Sequence, residues 1–165
     1  MNETSDHDEL VRRLGEQLDQ VATLHDQVEH AFARQHGLHP TDLRALLLIY
    51  RSYLSGMALT AGEFASHLDL SSGAVTYLVE RLSASGLVER ASDPKDRRKV
   101  ILRHSDLGLS VAKSYLEPLA DLNLGALRDV DSDQLRAALE ICQALESTMR
   151  ERERALRTTS EEVSE

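Results

Sequence analysis

Tryptophan is absent from this 165-residue chain, and only two Phe and four Tyr stand in for it. Any core must therefore be built from Leu, Val and Ala. Apolar residues make up 41% of the sequence, which is enough for one domain or two small ones. There is a single cysteine, Cys142, which excludes a disulfide framework and makes a reducing compartment the default. Long apolar runs are missing too. The longest, Ala45 to Tyr50, is six residues, far short of a membrane span. The first residues, MNETSDHDELVRRL, are acidic and polar, with no signal-peptide core. These absences lead to the expectation of a soluble cytoplasmic protein with no membrane partner.

Cations are also in short supply: 19 Lys and Arg against 28 Asp and Glu, a net charge of -9. Taken whole, that balance argues against a polyanionic partner. Its distribution argues otherwise. Residues 1–40 carry 3 cations and 8 acids, and residues 106–165 carry 7 and 13, whereas residues 41–105 carry 9 cations against 7 acids. A mildly basic centre lies between acidic ends. A local patch, not the average, sets an electrostatic footprint, although ordinary solvated faces would give the same count.

Periodicity organises the chain. Leu10, Leu14, Leu18, Val21, Val28 and Phe32 form a helical stripe over residues 8–34, closed by Gly37 and Pro40. Thr41 is suited to cap a second helix carrying Leu43, Leu46, Leu47, Tyr50 and Leu54, which Gly56 ends. Thr60-Ala61-Gly62-Glu63 reads as a capping box opening a short helix with Phe64 and Leu68 inward. After the turn Asp69-Leu70-Ser71, Ser71 or Ser72 caps a helix whose inward face is Val75, Leu78, Val79 and Leu82. Ser105 caps a helix to about Ala126, in which Pro118 predicts a kink or break. Asp131 to Gln134 begins a last helix with Leu135, Ala138, Leu139, Cys142, Leu145 and Met149 on one stripe, where Cys142 reads as a small buried apolar residue. The tail from Thr158 is polar and acidic.

Between residues 86 and 103 lies the most telling stretch, GLVERASDPKDRRKVILR. Two short alternating runs flank a polar turn, which is a β-hairpin by pattern; Val100 and Leu102 share one face, Ile101 and Arg103 the other. The loop carries Lys95, Arg97 and Arg98. A stiff basic finger after a helix can follow a phosphate backbone into a minor groove. A short helix, a tight turn, a second helix and a hairpin together make a helix-turn-helix with a wing. Burying 75, 78, 79 and 82 leaves Gly73, Tyr77 and Glu80 outward, with Thr76 and Arg81 on the flanks. The small, hydroxyl-rich start, Ser71, Ser72, Gly73 and Thr76, allows close approach to base edges and phosphates.

Residues Leu59 to Gly108 resemble the MarR family of winged helix-turn-helix transcriptional regulators. The resemblance rests on LTAGEFASHLDLSSGAVTYLVERLSASGLVER, the loop DPKDRRKVILR and Ser105-Asp106-Leu107-Gly108. The long flanking helices suit the family as well. It implies a mostly α (α+β) winged helix-turn-helix and a homodimer held by the terminal helices. Two winged lobes would read a palindromic operator in double-stranded DNA, and small molecules, often phenolic, would tune the binding. Carried over, Lys95 or Arg97 becomes the minor-groove cation, Asp93 braces the loop, and Thr76 and Arg81 match polar positions used toward DNA. Tyr77 departs from the pattern, since many relatives carry a cation there; it could bond a phosphate, pack on a thymine methyl or be a half-buried packing residue. Glu80 would repel phosphates, so it is expected where the helix leaves the DNA or paired with a wing cation.

The expected organisation is thus dimerisation helices at 1–40 and 106–157, a DNA-binding domain at 41–105 and a disordered tail at 158–165. The DNA-facing set is Ser71, Ser72, Gly73, Thr76, Tyr77, Arg81, Lys95, Arg97 and Arg98. An effector cleft is expected near Tyr50, Tyr53, Tyr115 and Leu116. His25, His30, His36 and His39 cluster early but lack metal-ligand spacing, and read as surface histidines around a helix end. No catalytic motif, cofactor or metal site is expected; the chain reads as a regulator, a repressor rather than an activator, and not as an enzyme. Two alternatives stand beside this reading: a metal-responsive regulator, and a protein-interaction module that kept the winged fold without operator binding.

Overall fold

The computed structural model describes residues 3–57, 59–68, 70–92 and 100–162. The chain forms two compact units, Met1–Pro118 and Leu119–Glu165. Six helices and a small antiparallel sheet are described: α1 (Glu3–Gln35), α2 (Pro40–Leu54), β1 (Leu59–Thr60), α3 (Ala61–Leu68), α4 (Ser72–Ala84), β2 (Val88–Ser92), β3 (Val100–His104), α5 (Asp106–Ala126) and α6 (Ser132–Glu162). This is the mostly α, winged arrangement that the periodicity implies. Among the described residues, no helix is long and apolar enough to cross a membrane.

The core lies in the first unit. Leu43, Ala45, Leu46, Leu47 and Ile49 of α2, Phe64 of α3, and Val75, Leu78, Val79 and Leu82 of α4 are buried together with Leu87, Val88, Ile101, Leu102, Ala112 and Tyr115. It is an aliphatic core with few rings, as the composition requires. The sheet order is β1-β3-β2, with Leu59 opposite Leu102 and Val88 opposite His104. The two-residue strand β1 escapes periodicity, because two residues have no period to read. Strict alternation also fails in β3: Ile101 and Leu102 are both buried. The middle strand touches both α2 and α3, so adjacent side chains find cover.

Helix ends follow local chemistry, with one change of residue. His39, not Thr41, caps α2; its ring accepts from the Thr41 N–H at 3.3 Å, and Pro40 occupies the first helical position. Proline's fixed φ suits that position, so the helix starts earlier than expected. The Thr60–Glu63 capping box forms in both directions: the Thr60 N–H donates to the Glu63 carboxylate at 2.8 Å, and the Glu63 N–H donates to Thr60 Oγ1 at 3.3 Å. At the end of α4, Gly86 takes φ 69°, and the Leu87 N–H reaches back to the Leu82 carbonyl at 2.9 Å, which turns the chain sharply into β2.

Ser105 caps α5, accepting from the Gly108 N–H at 3.0 Å while its hydroxyl donates to the Gly86 carbonyl at 2.5 Å. One side chain therefore ties the exit of α4 to the start of α5. Gly108 is required there, since a Cβ would point directly onto the Leu87 carbonyl oxygen. The helix continues through Pro118 rather than breaking. Proline removes one N–H donor, and the turns on either side maintain the spiral. The last helix runs to Glu162, beyond the Thr158 at which a disordered tail was expected to start. Cys142 is exposed rather than buried.

Candidate nucleic-acid interface

Ser71 starts the outward helix. Its extended backbone (φ -65°, ψ 158°) and its hydroxyl, which accepts from the Ala74 N–H at 3.3 Å, set the first turn of α4. Because Val75, Leu78, Val79 and Leu82 are buried, the other face is open: Ser71, Ser72, Gly73, Thr76, Tyr77 and Glu80 are exposed. Gly73 has nothing within 4 Å of where a Cβ would be, so a ligand backbone can approach closely. Thr76 Oγ1 donates to the Ser72 carbonyl at 3.0 Å, which orients its hydroxyl along the helix. The sequence-derived set on α4 thus forms one surface, with Arg81 as the exception.

Arg81 turns back onto the fold. Its Nε lies 3.0 and 3.1 Å from the two carboxylate oxygens of Asp42, and its Nη2 lies 2.5 Å from one of them. Asp42 is buried in the first turn of α2. The guanidinium also sits over the Tyr77 ring, 5.3 Å from the centroid. Hydrogen bonding to Asp42, then its charge and Tyr77, raise the arginine pKa against a desolvation that lowers it, so the group stays cationic. Asp42 is the residue that periodicity missed; only its long-range partner marks it.

The hairpin follows directly, and its two described arginines are exposed on opposite faces: Arg90 on β2 lies beside Glu80 and Ser83 of α4, whereas Arg103 on β3, registered opposite Glu89, lines the cavity beside Tyr53. Lys95, Arg97 and Arg98, with Asp93, lie outside the described residues. Glu80 lines a shallow depression with Ser83, Val88, Glu89 and Arg90, toward the C-terminal half of α4.

A cavity of about 460 Å³ opens on the other side of the sheet, between the end of α2 and β3. Ile49, Tyr53, Met57, Ile101 and Leu102 give it apolar walls; Glu89, Arg103 and His104 give it polar ones. The His104 ring meets Tyr53 edge-on at 4.7 Å, and its buried Nε2 has no partner among the described residues. Of the four expected effector residues, Tyr53 lines this cavity and Tyr50 lies 6.1 Å from His104. Tyr115 is buried elsewhere, edge-on to Phe32 of α1 at 5.1 Å, and Leu116 is half-buried beside it on α5; neither lines this cavity. The four early histidines are drawn into local contacts: His25 toward Glu29, His30 and His36 onto carbonyls of their own helix, and His39 onto the start of α2.

A helix, a turn and an outward helix followed by a two-stranded hairpin define a winged helix-turn-helix. Residues 36–99 match the sequence model of the MarR family. The chain is 33% identical over 105 residues to the HTH-type transcriptional regulator YcgE of Bacillus subtilis, covering 64% of this chain and 66% of that one. It is 34% identical over 121 residues to the HTH-type transcriptional regulator TtmR of Methylorubrum extorquens, covering 67% and 57%. The matches span 42% to 66% of the length of the curated relatives. A MarR family protein from Bacillus stearothermophilus superposes with a TM-score of 0.65 at 22% identity, covering 91% of this chain and 99% of that one. The MepR–DNA complex of S. aureus gives 0.59 at 13%, covering 80% and 93%. The chain belongs to the MarR family.

Proposed function

We propose that this protein is a homodimeric transcriptional repressor that reads a palindromic operator and is released by a small aromatic ligand. The observation that carries the DNA-binding part is the open start of α4, where Ser71, Ser72, Gly73 and Thr76 are small and exposed, with the exposed Arg90 of the hairpin beside the same helix. That similar regulators include one crystallised on DNA supports the same role here. Ser71, Ser72, Gly73, Thr76 and Tyr77 meet base edges and the nearest phosphates, while Lys95, Arg97 and Arg98 follow the backbone. Catalysis has no part in this role.

Dimerisation is supported by apolar side chains left bare on the terminal helices: Leu10, Val21 and Leu24 of α1, and Leu139, Ile141 and Met149 of α6. A second copy would bury them isologously. Two lobes would then read half-sites about 10 base pairs apart. The cavity under Tyr53 suits an uncharged or weakly acidic aromatic ligand, whose hydroxyl or carboxylate would supply the partner that His104 Nε2 lacks among the described residues.

Selection of duplexes from random DNA, followed by titration against salt, tests this reading. A symmetric consensus and a slope of log K on log salt of about -5 to -7 are expected if each lobe neutralises three or four phosphates. Arg97→Ala and Lys95→Ala should weaken binding with the fold intact. Unchanged affinity in both variants would remove the wing from the interface. Absence of any selected sequence would leave a protein-interaction module as the better reading.

A further inference from the structure

The geometry points to Asp42 and Arg81 as a positioning pair that sets the sequence preference of α4 by holding the Tyr77 ring, rather than as a free cation and an unrelated buried acid. This inference rests on the DNA-reading role proposed above. Three observations carry it. Arg81 is bidentate on the Asp42 carboxylate, so its planar guanidinium cannot turn freely. Asp42 is 7% exposed, so the pair is shielded from water on its carboxylate side. Tyr77 is 64% exposed and has the guanidinium over its ring at 5.3 Å.

An exposed tyrosine alone would sample several rotamers before meeting a base, and each frozen rotamer would weaken binding. Stacked on an anchored guanidinium, the ring is held in advance. The anchor extends further: Arg44, in the same opening turns of α2, lies 2.7 Å from Asp26 and 3.2 Å from Glu29 of α1. The ring that faces outward on α4 is thereby fixed to the frame of α1 and α2.

A double-mutant cycle in the full-length protein tests this. Asp42→Asn, Arg81→Lys, Tyr77→Ala and the double variant Asp42→Asn/Tyr77→Ala are compared by binding to selected and to random duplexes at several salt concentrations. Asp42→Asn keeps the shape of the carboxylate, and Arg81→Lys keeps the charge but loses the plane. Each should lower the ratio of specific to non-specific affinity about tenfold, leaving random-duplex binding and the salt slope unchanged. Combined with Tyr77→Ala, Asp42→Asn should have no further effect. Circular dichroism checks each fold; if Asp42→Asn is unfolded, Arg81→Lys with Tyr77→Ala completes the cycle.

An unchanged ratio in the folded variants would overturn the inference, as would full additivity with Tyr77→Ala. A salt slope less steep by about 0.9 in an Arg81→Met variant would also overturn it, by making Arg81 a direct phosphate contact. If the wild-type protein selects no sequence at all, the DNA-reading role fails and this inference fails with it; if it selects one that Asp42→Asn does not relax, only the positioning role fails.

Discussion

The winged region from α2 to β3 and the last helix α6 are both made of regular elements with clean apolar periodicity, yet they end in opposite states. In the winged region every position on the inward face of α4 is buried, as are Leu43, Leu46 and Leu47 of the α2 stripe; Tyr50 is half-buried, and Leu54, at the helix end, is exposed. In α6, Leu139 is 62% exposed and Met149 is 68% exposed, and none of the described side chains of the helix is fully buried. Periodicity specifies which side of a helix is apolar; burial needs another surface at the right distance. In the winged region that surface comes from short connections that fold the chain back on itself. In α6 no such surface covers the stripe, and in the dimer proposed above a second copy would supply it.

The contrast can be broken most severely at α6. Leu139→Glu combined with Met149→Glu should abolish self-association, read by sedimentation as a shift from dimer to monomer at micromolar concentration. A dimer that survives both charges would mean that this stripe is not the interface. The same change should barely alter the secondary structure of the winged region.

The next largest effect lies in the closed core. Phe64 is fully buried and is one of only two phenylalanines. Phe64→Ala should cost about 3–5 kcal/mol in denaturant unfolding, with no change in association until the fold fails. A loss below about 1 kcal/mol would show that the core can collapse around the site. Smaller still, Ser105→Ala removes the cap that joins Gly86 to Gly108 and should cost about 1 kcal/mol. If that loss is real but local, amide exchange will rise first at the start of α5.

The smallest effect sits where α5 packs on α1. The Tyr115 hydroxyl is buried without a partner among the described residues. Burial, then the charges of Glu29 and Asp26, push its pKa above the ordinary value of 10.0, while Arg51 lowers it. The folded protein therefore holds this proton more tightly than the unfolded chain. Its contribution is intact below about pH 10 and is lost as pH rises through the raised folded value. Tyr115→Phe should change neutral-pH stability by less than about 1 kcal/mol and flatten the decline above pH 10. A steep alkaline decline that persists in the variant would place its origin in another group.

Helix phases, caps and the hairpin were legible in the residues because each depends on neighbours within a few positions: the 75-78-79-82 spacing, the Thr60–Glu63 box, the Ser71 and Ser105 caps. The outward surface of α4 followed from that phase alone. What escaped the sequence were features decided across distance. The two-residue β1 exists only because β3 passes beside it. Ile101 and Leu102 are both buried because β3 became the middle strand. Arg81 reads as a free cation until Asp42, thirty-nine positions earlier, is brought beside it. Tyr53 and Tyr115, alike in sequence, part company: one walls a cavity, the other is sealed against α1. Local free energy selects the elements, whereas the partners of a charge or a ring are settled only when packing chooses which elements meet.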